Sequence, residues 1–115
     1  MFEQTIKDAT NAEYALAVNS APSALHIACL ALGVTQGDSV WTKPITFVAS
    51  SNCALYCGAE VGFVDVDPQT YNLCPDKLAK QLEHVKANNL TLPKVVIPVH
   101  LCGQPCEIQR IHQLS

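Results

Sequence analysis

Charge of either sign is scarce in this 115-residue chain: only 15% of its residues are charged, 7 Lys+Arg against 10 Asp+Glu, for a net charge of −3. No run of Lys or Arg occurs, so the basic stripe that a nucleic-acid-binding domain needs is missing. No apolar stretch approaches the roughly 18 residues of a membrane span. Met1-Phe2-Glu3-Gln4 carries neither the basic nor the apolar segment of a secretory signal, which makes the cytoplasm the expected location. Internal repeats, low-complexity tracts and an interdomain linker are all lacking. So are the glycine patterns of a dinucleotide fold or a P-loop. What is abundant is apolar surface. At 49% hydrophobic residues, the chain lies far from the composition of disordered segments. Its length is that of about one domain.

Six cysteines are many for such a length. Cys29, Cys53 and Cys57 fall in helix-like apolar stretches, and the aliphatic content is enough for a core without staples. Small buried hydrophobes are therefore the expected role. His100, Cys102 and Cys106 lie close in sequence, and Cys53 and Cys57 are four apart. The paired short spacings of a structural zinc site are absent, so no metal site is expected.

Strand and helix signals alternate. Tyr14–Asn19 is a short apolar run expected as a strand. Pro22 fits a helix start, and Ala24–Leu32 continues that helix to a stop at Gly33. Ser39–Thr42 is expected as a strand broken by Lys43-Pro44, Phe47–Tyr56 as a helix and Val61–Val66 as a strand. Pro75 opens an amphipathic helix with Leu78, Leu82 and Val85 on one face. Val95–Val99 is a further strand, and a helix begins at Glu107. Continuous apolar strands between helices predict a three-layer α/β/α sandwich around a mostly parallel sheet. Helical patterns at both ends of the chain predict a fragment of a larger domain.

Three places could carry chemistry. Ser20-Ala21-Pro22-Ser23 combines small residues with a helix start, whose free N–H groups and dipole suit an anion; the competing reading is an ordinary capped helix. His100 follows a strand end, where sites of α/β folds gather, though a satisfied loop histidine has the same signature. His26 is expected to be structural. Asp65 and Asp67 close a strand and are expected to serve turns.

The segment Asn19-Ser20-Ala21-Pro22-Ser23-Ala24-Leu25-His26 resembles the N-S-[AG]-T-S-A-L-H stretch of the DegT/DnrJ/EryC1/StrS sugar aminotransferases. The likeness continues in order through Ala31–Val34, Gly37-Asp38, Thr46–Asn52, Gly58–Glu60, Phe63–Pro68 and Val99–Gln104. No single segment is diagnostic; the ordered set covers nearly the whole chain. Within that family, Asn52-Cys53, Leu55–Ala59, Thr70–Leu73 and Leu92–Val95 are most similar to the transaminases of pseudaminic acid biosynthesis, which aminate a UDP-linked 4-keto-6-deoxy sugar.

The resemblance implies the large domain of a fold-type I, pyridoxal 5'-phosphate-dependent aminotransferase. It would move an amino group, usually from glutamate, to a nucleotide-linked keto sugar. By position, Ser20, Ala21, Pro22 and Ser23 would cradle the cofactor phosphate and Phe47 would stack on its ring; His100, from its place after a strand end, is the candidate substrate contact. A flat apolar side chain suits a flat conjugated ring, whereas the competing role for Phe47 is core packing. Pro22 stands where the family has Thr, which removes one N–H and one hydroxyl from the turn. In the family, the lysine that holds the cofactor covalently and the aspartate at its pyridine nitrogen fall outside the stretch that this chain resembles. None of Lys7, Lys43, Lys77, Lys80, Lys86 and Lys94 lies in the lysine motif, and most have surface helix or turn contexts. No catalytic residue is therefore assigned. Residues 1–115 are expected to be a partial large domain, inactive alone, that pairs as a homodimer or with a chain carrying the rest. The alternatives are a non-catalytic remnant and, ranked last, a cysteine-based metal or redox module.

Overall fold

A computed structural model of the chain describes residues 1–114. Its centre is a parallel sheet of three strands, β1 (Ser39–Thr42), β2 (Glu60–Phe63) and β3 (Val95–Val96), in the order β2-β1-β3. Helices connect them: α1 (Phe2–Thr10) and α2 (Ala21–Ala31) precede β1, α3 (Ala49–Tyr56) leads to β2, α4 (Pro75–Ala87) leads to β3, and α5 (Ile108–His112) closes the described residues.

The central strand shows why the fold has three layers. Successive strand residues point to opposite faces. Val40 and Trp41 do so, and both are buried, at 0% and 5% exposure. Val40 packs with Cys29, Cys53, Ala54 and Ala59 of the α2–α3 side, joined by Val61 and Val95. Trp41 packs with Val64, Leu73, Leu78, Val85 and Ile111 of the α4–α5 side, joined by Val96. A strand buried on both faces reads as a continuous apolar run, as parallel sheets require. The three-layer arrangement is thus the expected one.

Local chemistry sets the element ends. Ser20 is the N-cap of α2, and Pro22 sits in its first turn, where a missing N–H costs no hydrogen bond. Gly33 follows α2 at φ +68°, a conformation that a side chain resists. Pro75 opens α4, which buries Leu78 and Val85 and spans the expected residues. At the end of the sheet where the strands begin, Lys94 Nζ donates to Gly33 O at 2.6 Å and to Asp38 Oδ2 at 2.9 Å. That ion pair holds the Asp38 carboxyl below the usual carboxylate range.

Several expectations are corrected. Tyr14–Asn19 is not a strand. It has no ladder partner among the described residues, and Tyr14 and Leu16 are 81% and 68% exposed. Its Ala17 N–H donates instead to Glu3 Oε1 of α1 at 2.7 Å. An apolar run becomes a strand only when a neighbour takes its backbone groups. The strand expected over Val61–Val66 is Glu60–Phe63, with Val64 N–H still bonded to Thr42 O at 2.8 Å. Val66 instead pairs singly with Leu73. The strand expected to Val99 ends at Val96, and Pro98 has no N–H to continue a ladder. The helix expected from Phe47 begins at Ala49. No helix of the described residues is long and apolar enough to cross a membrane.

Candidate functional site

The topology puts Phe47 and His100 after the C-terminal ends of two neighbouring parallel strands. Lys94, Gly33 and Asp38 mark the end where β1 and β3 begin, and α2 finishes there. An 11-residue helix is about 16 Å long. The Ser20–Ser23 turn, at the other end of α2, therefore lies about a helix length from the Lys94–Asp38 pair. Phe47 follows β1 and His100 follows β3, its parallel neighbour in the sheet, so both come after the C-terminal ends of their strands. Crevices outside the carboxyl ends of parallel strands are where ligands bind in open α/β sheets.

Ser20 adopts an extended backbone at the N-cap, and its Oγ accepts from Ser23 N at 3.4 Å. The two hydroxyls lie 2.9 Å apart, and Ser23 Oγ donates to Asn19 Oδ1 at 3.2 Å. The turn is solvent-accessible at Ser20 and Ala21, and Pro22 and Ser23 are half-buried. Backbone N–H groups at this helix start, two hydroxyls and the positive end of the helix dipole suit a phosphate dianion. Pro22 supplies no N–H. Phe47 is 64% exposed, so its ring lies outside the core formed by the described residues.

His100 is exposed, and its Nδ1 accepts from Cys106 N at 2.9 Å. An accepting Nδ1 places the proton of the neutral ring on Nε2. His26, expected as structural, meets Tyr56 edge-on at 5.4 Å between α2 and α3. Asp67 Oδ1 accepts from Gln69 N and Thr70 N, both at 2.9 Å, and these bonds hold its carboxyl below the usual range. Asp65 pairs with Lys77 and is held down in the same way. Both acids therefore serve the turn, as expected.

All six cysteines are free thiols: Cys29, Cys53 and Cys106 are buried, Cys57 and Cys74 half-buried, and Cys102 exposed. Burial, with a hydrogen bond to Cys53, pushes the Cys29 thiol up to about 12. Among the described residues, no group of three or more His, Cys, Asp or Glu is placed to hold a metal ion. A cavity of about 510 Å³ opens between α4, α5 and β3, but none of the candidate residues lines it.

The whole of residues 1–115 matches the model of the DegT/DnrJ/EryC1/StrS aminotransferase family. The chain belongs to that family. It is 41% identical to EpsN of Bacillus subtilis over 113 residues and 37% identical to the GDP-perosamine synthase of Caulobacter vibrioides over 114. Those alignments take in 98% and 99% of this chain but 29% of each relative. The chain thus spans about 29% of the length of the curated relatives it matches. Its structure superposes on a DegT/DnrJ/EryC1/StrS aminotransferase from Brucella abortus with a TM-score of 0.88 at 29% identity, over 98% of this chain and 30% of that one. NtdA from Bacillus subtilis, solved with bound cofactor PMP, matches with a TM-score of 0.81 at 31% identity, over 98% of this chain and 24% of that one. These likenesses make the fold that of a fold-type I aminotransferase fragment, and the family uses pyridoxal phosphate.

Within this aminotransferase fold, two residues went unnoticed in the sequence. Lys43, expected at a surface turn like most of the lysines, is fully buried at the end of β1. Its Nζ donates to Tyr71 O at 2.9 Å and to Asn72 Oδ1 at 3.1 Å. Burial pushes its ammonium below the ordinary lysine value. Asn72 is itself 3% exposed. Composition and periodicity carry no signal for either. A lysine next to a proline reads as a turn, and only the fold places the loop after β2 above it.

Proposed function

We propose that this chain supplies the cofactor-facing part of a pyridoxal 5'-phosphate-dependent aminotransferase of nucleotide sugars. It would form part of the large domain, covering residues 1–115. The reading is supported by the Ser20-capped start of α2 and by an exposed Phe47 in the segment that follows β1. The residues present fit the group. Ser20 and Ser23 offer hydroxyls and N–H donors to a phosphate at the start of α2, and Phe47 offers a ring face to a pyridine. When bound, pyridoxal phosphate supplies the electron sink that lets an amino group pass between donor and acceptor. This chain's residues would bind and orient: the turn by charge, Phe47 by stacking, and His100 through its Nε2–H toward a sugar hydroxyl or carbonyl.

The finer reading is a UDP-linked 4-keto-6-deoxy sugar as acceptor and glutamate as amino donor, as in pseudaminic acid biosynthesis. It is supported by the likeness of Asn52-Cys53, Leu55–Ala59, Thr70–Leu73 and Leu92–Val95 to those transaminases. Amino-group transfer would require a lysine from outside these residues, brought by the rest of the fold. Six free thiols suit a reducing cytoplasm. Fluorescence titration of the 115-residue chain with pyridoxal phosphate tests the reading. Saturable binding, competed by inorganic phosphate and weaker for pyridoxal without its phosphate, is expected. Equal affinity for the two forms would overturn the assignment of the turn.

A further inference from the structure

We propose that Lys43 and Asn72 are positioning residues that lock the loop from His100 to Pro105 onto the sheet and thereby place His100 against the sugar of a nucleotide-sugar ligand. The assignment of the ligand rests on the function proposed above; the lock itself rests on hydrogen bonds alone.

Asn72 uses its whole hydrogen-bonding capacity on this task. Its Oδ1 accepts from Lys43 Nζ and from Leu101 N, each at 3.1 Å. Its Nδ2 donates to Gln104 O at 2.8 Å and to Pro105 O at 3.2 Å. One side chain thus grips the loop near its beginning and at its end. The loop needs that grip. Cys102 is held at φ +52° and Gly103 at φ +81°, and the first of these is a conformation that a residue with a Cβ adopts reluctantly. Within the loop, only Gly103 N to His100 O at 3.3 Å and Gln104 N to Leu101 O at 2.9 Å bind the backbone to itself.

Lys43 is the unusual element. Its side chain is fully buried, and both of its partners are neutral oxygens; the ion pairs among the described residues all involve other cations. A buried ammonium without a carboxylate is costly, and an apolar side chain of the same length would fill the space without that cost. What the ammonium adds is a fixed link from the end of β1 to Tyr71, itself at φ +56°, and to Asn72. Through Asn72 the link reaches the loop, where His100 Nδ1 accepts from Cys106 N. The ring is then held with Nε2–H as its outward donor, and that donor is set from β1, the strand that also leads to Phe47.

The cysteines make the lock measurable. Cys106 is buried at 7%, at the end of the loop, and its Sγ donates to Val99 O at 3.1 Å. Cys29 and Cys53 are buried on the other side of the sheet and report global unfolding. In the full 115-residue chain, alkylation is followed at each cysteine by peptide mass mapping. Lys43→Met and Asn72→Ala are expected to speed alkylation of Cys106 by roughly tenfold or more while Cys29 and Cys53 keep their slow rates. An unchanged Cys106 rate overturns the lock. Should either variant unfold, with all thiols reacting alike, Asn72→Asp decides instead. It keeps the acceptors for Lys43 and Leu101 but loses the donors to Gln104 and Pro105, and an accelerated Cys106 is again expected.

The positioning role is read separately by calorimetric titration with UDP-N-acetylglucosamine as the probe. Lys43→Met is expected to weaken binding by about fivefold or more. Combined with His100→Ala, it should add nothing to the loss that His100→Ala causes alone, because a positioning residue acts through its target. Additive losses, or a Lys43→Met chain that binds like the wild type, overturn the positioning role. A wild-type chain that ignores the probe overturns the sugar assignment of the site, whereas the thiol rates still decide the lock.

Discussion

Gly62 of β2 lies directly beside Trp41 of β1, and a Cβ at Gly62 would stand 2.3 Å from Trp41 Cδ1 and 2.5 Å from Nε1. The glycine exists for the indole: only a residue without a side chain lets the ring lie flat over the neighbouring strand. Gly62→Ala is expected to destabilise the chain by about 1–3 kcal/mol, as overpacking of a closed core does. A lower urea midpoint with an unchanged slope is the expected readout. Trp41→Leu should relieve most of that loss. An alanine variant as stable as the wild type would mean that the indole moves freely.

Pro22 withholds one backbone donor from the phosphate turn. Pro22→Ala restores the N–H, and Pro22→Thr restores the N–H and adds a hydroxyl. Each regained bond to a charged phosphate should tighten pyridoxal phosphate binding by about tenfold. Fluorescence titration of the two variants separates the N–H from the hydroxyl. Unchanged affinity in both would place the phosphate elsewhere.

Phe47 separates binding from stability. At 64% exposure it contributes little to the core, so Phe47→Leu should shift stability by less than about 0.5 kcal/mol. Loss of ring stacking should nonetheless weaken cofactor binding several-fold. A variant that loses stability but keeps its affinity would return Phe47 to the core.

Acid should weaken the fold through three carboxylates. Hydrogen bonds from Lys94 to Asp38, from Lys77 to Asp65 and from the Thr70 and Gln69 backbones to Asp67 all depress the folded values. Groups depressed in the folded state stabilise it above the ordinary carboxylate range near 4, and that contribution fades as pH falls through the lower folded values. The urea midpoint should therefore be nearly flat from pH 7 to 5 and fall below about pH 4. Asp67→Asn should lower the midpoint at pH 7 and flatten the acid limb. A midpoint that rises on acidification would contradict this assignment.

Much of the fold is legible in the sequence. Apolar runs at Ser39–Thr42 and after Gly58, and the helical stripe of Leu78, Leu82 and Val85, place their elements within a few residues. Pro75 and Gly33 mark helix ends because their backbones permit little else. The Ser20–Ser23 turn was equally visible, since a helix cap is a local device.

Tyr14–Asn19 shows where local reading stops. It reads as a short apolar strand, yet strand formation is decided by a neighbour, and none of the described residues pairs with it in a ladder. The sequence alone determined the alternation of elements, the two-faced burial of β1 and the family resemblance, because these rest on composition and short-range periodicity. Only the tertiary structure decided that Lys43 is buried, that Phe47 is exposed and that Asn72 joins the loop to the sheet. Those outcomes depend on residues dozens of positions apart meeting at one end of the sheet, and no local pattern encodes such a meeting.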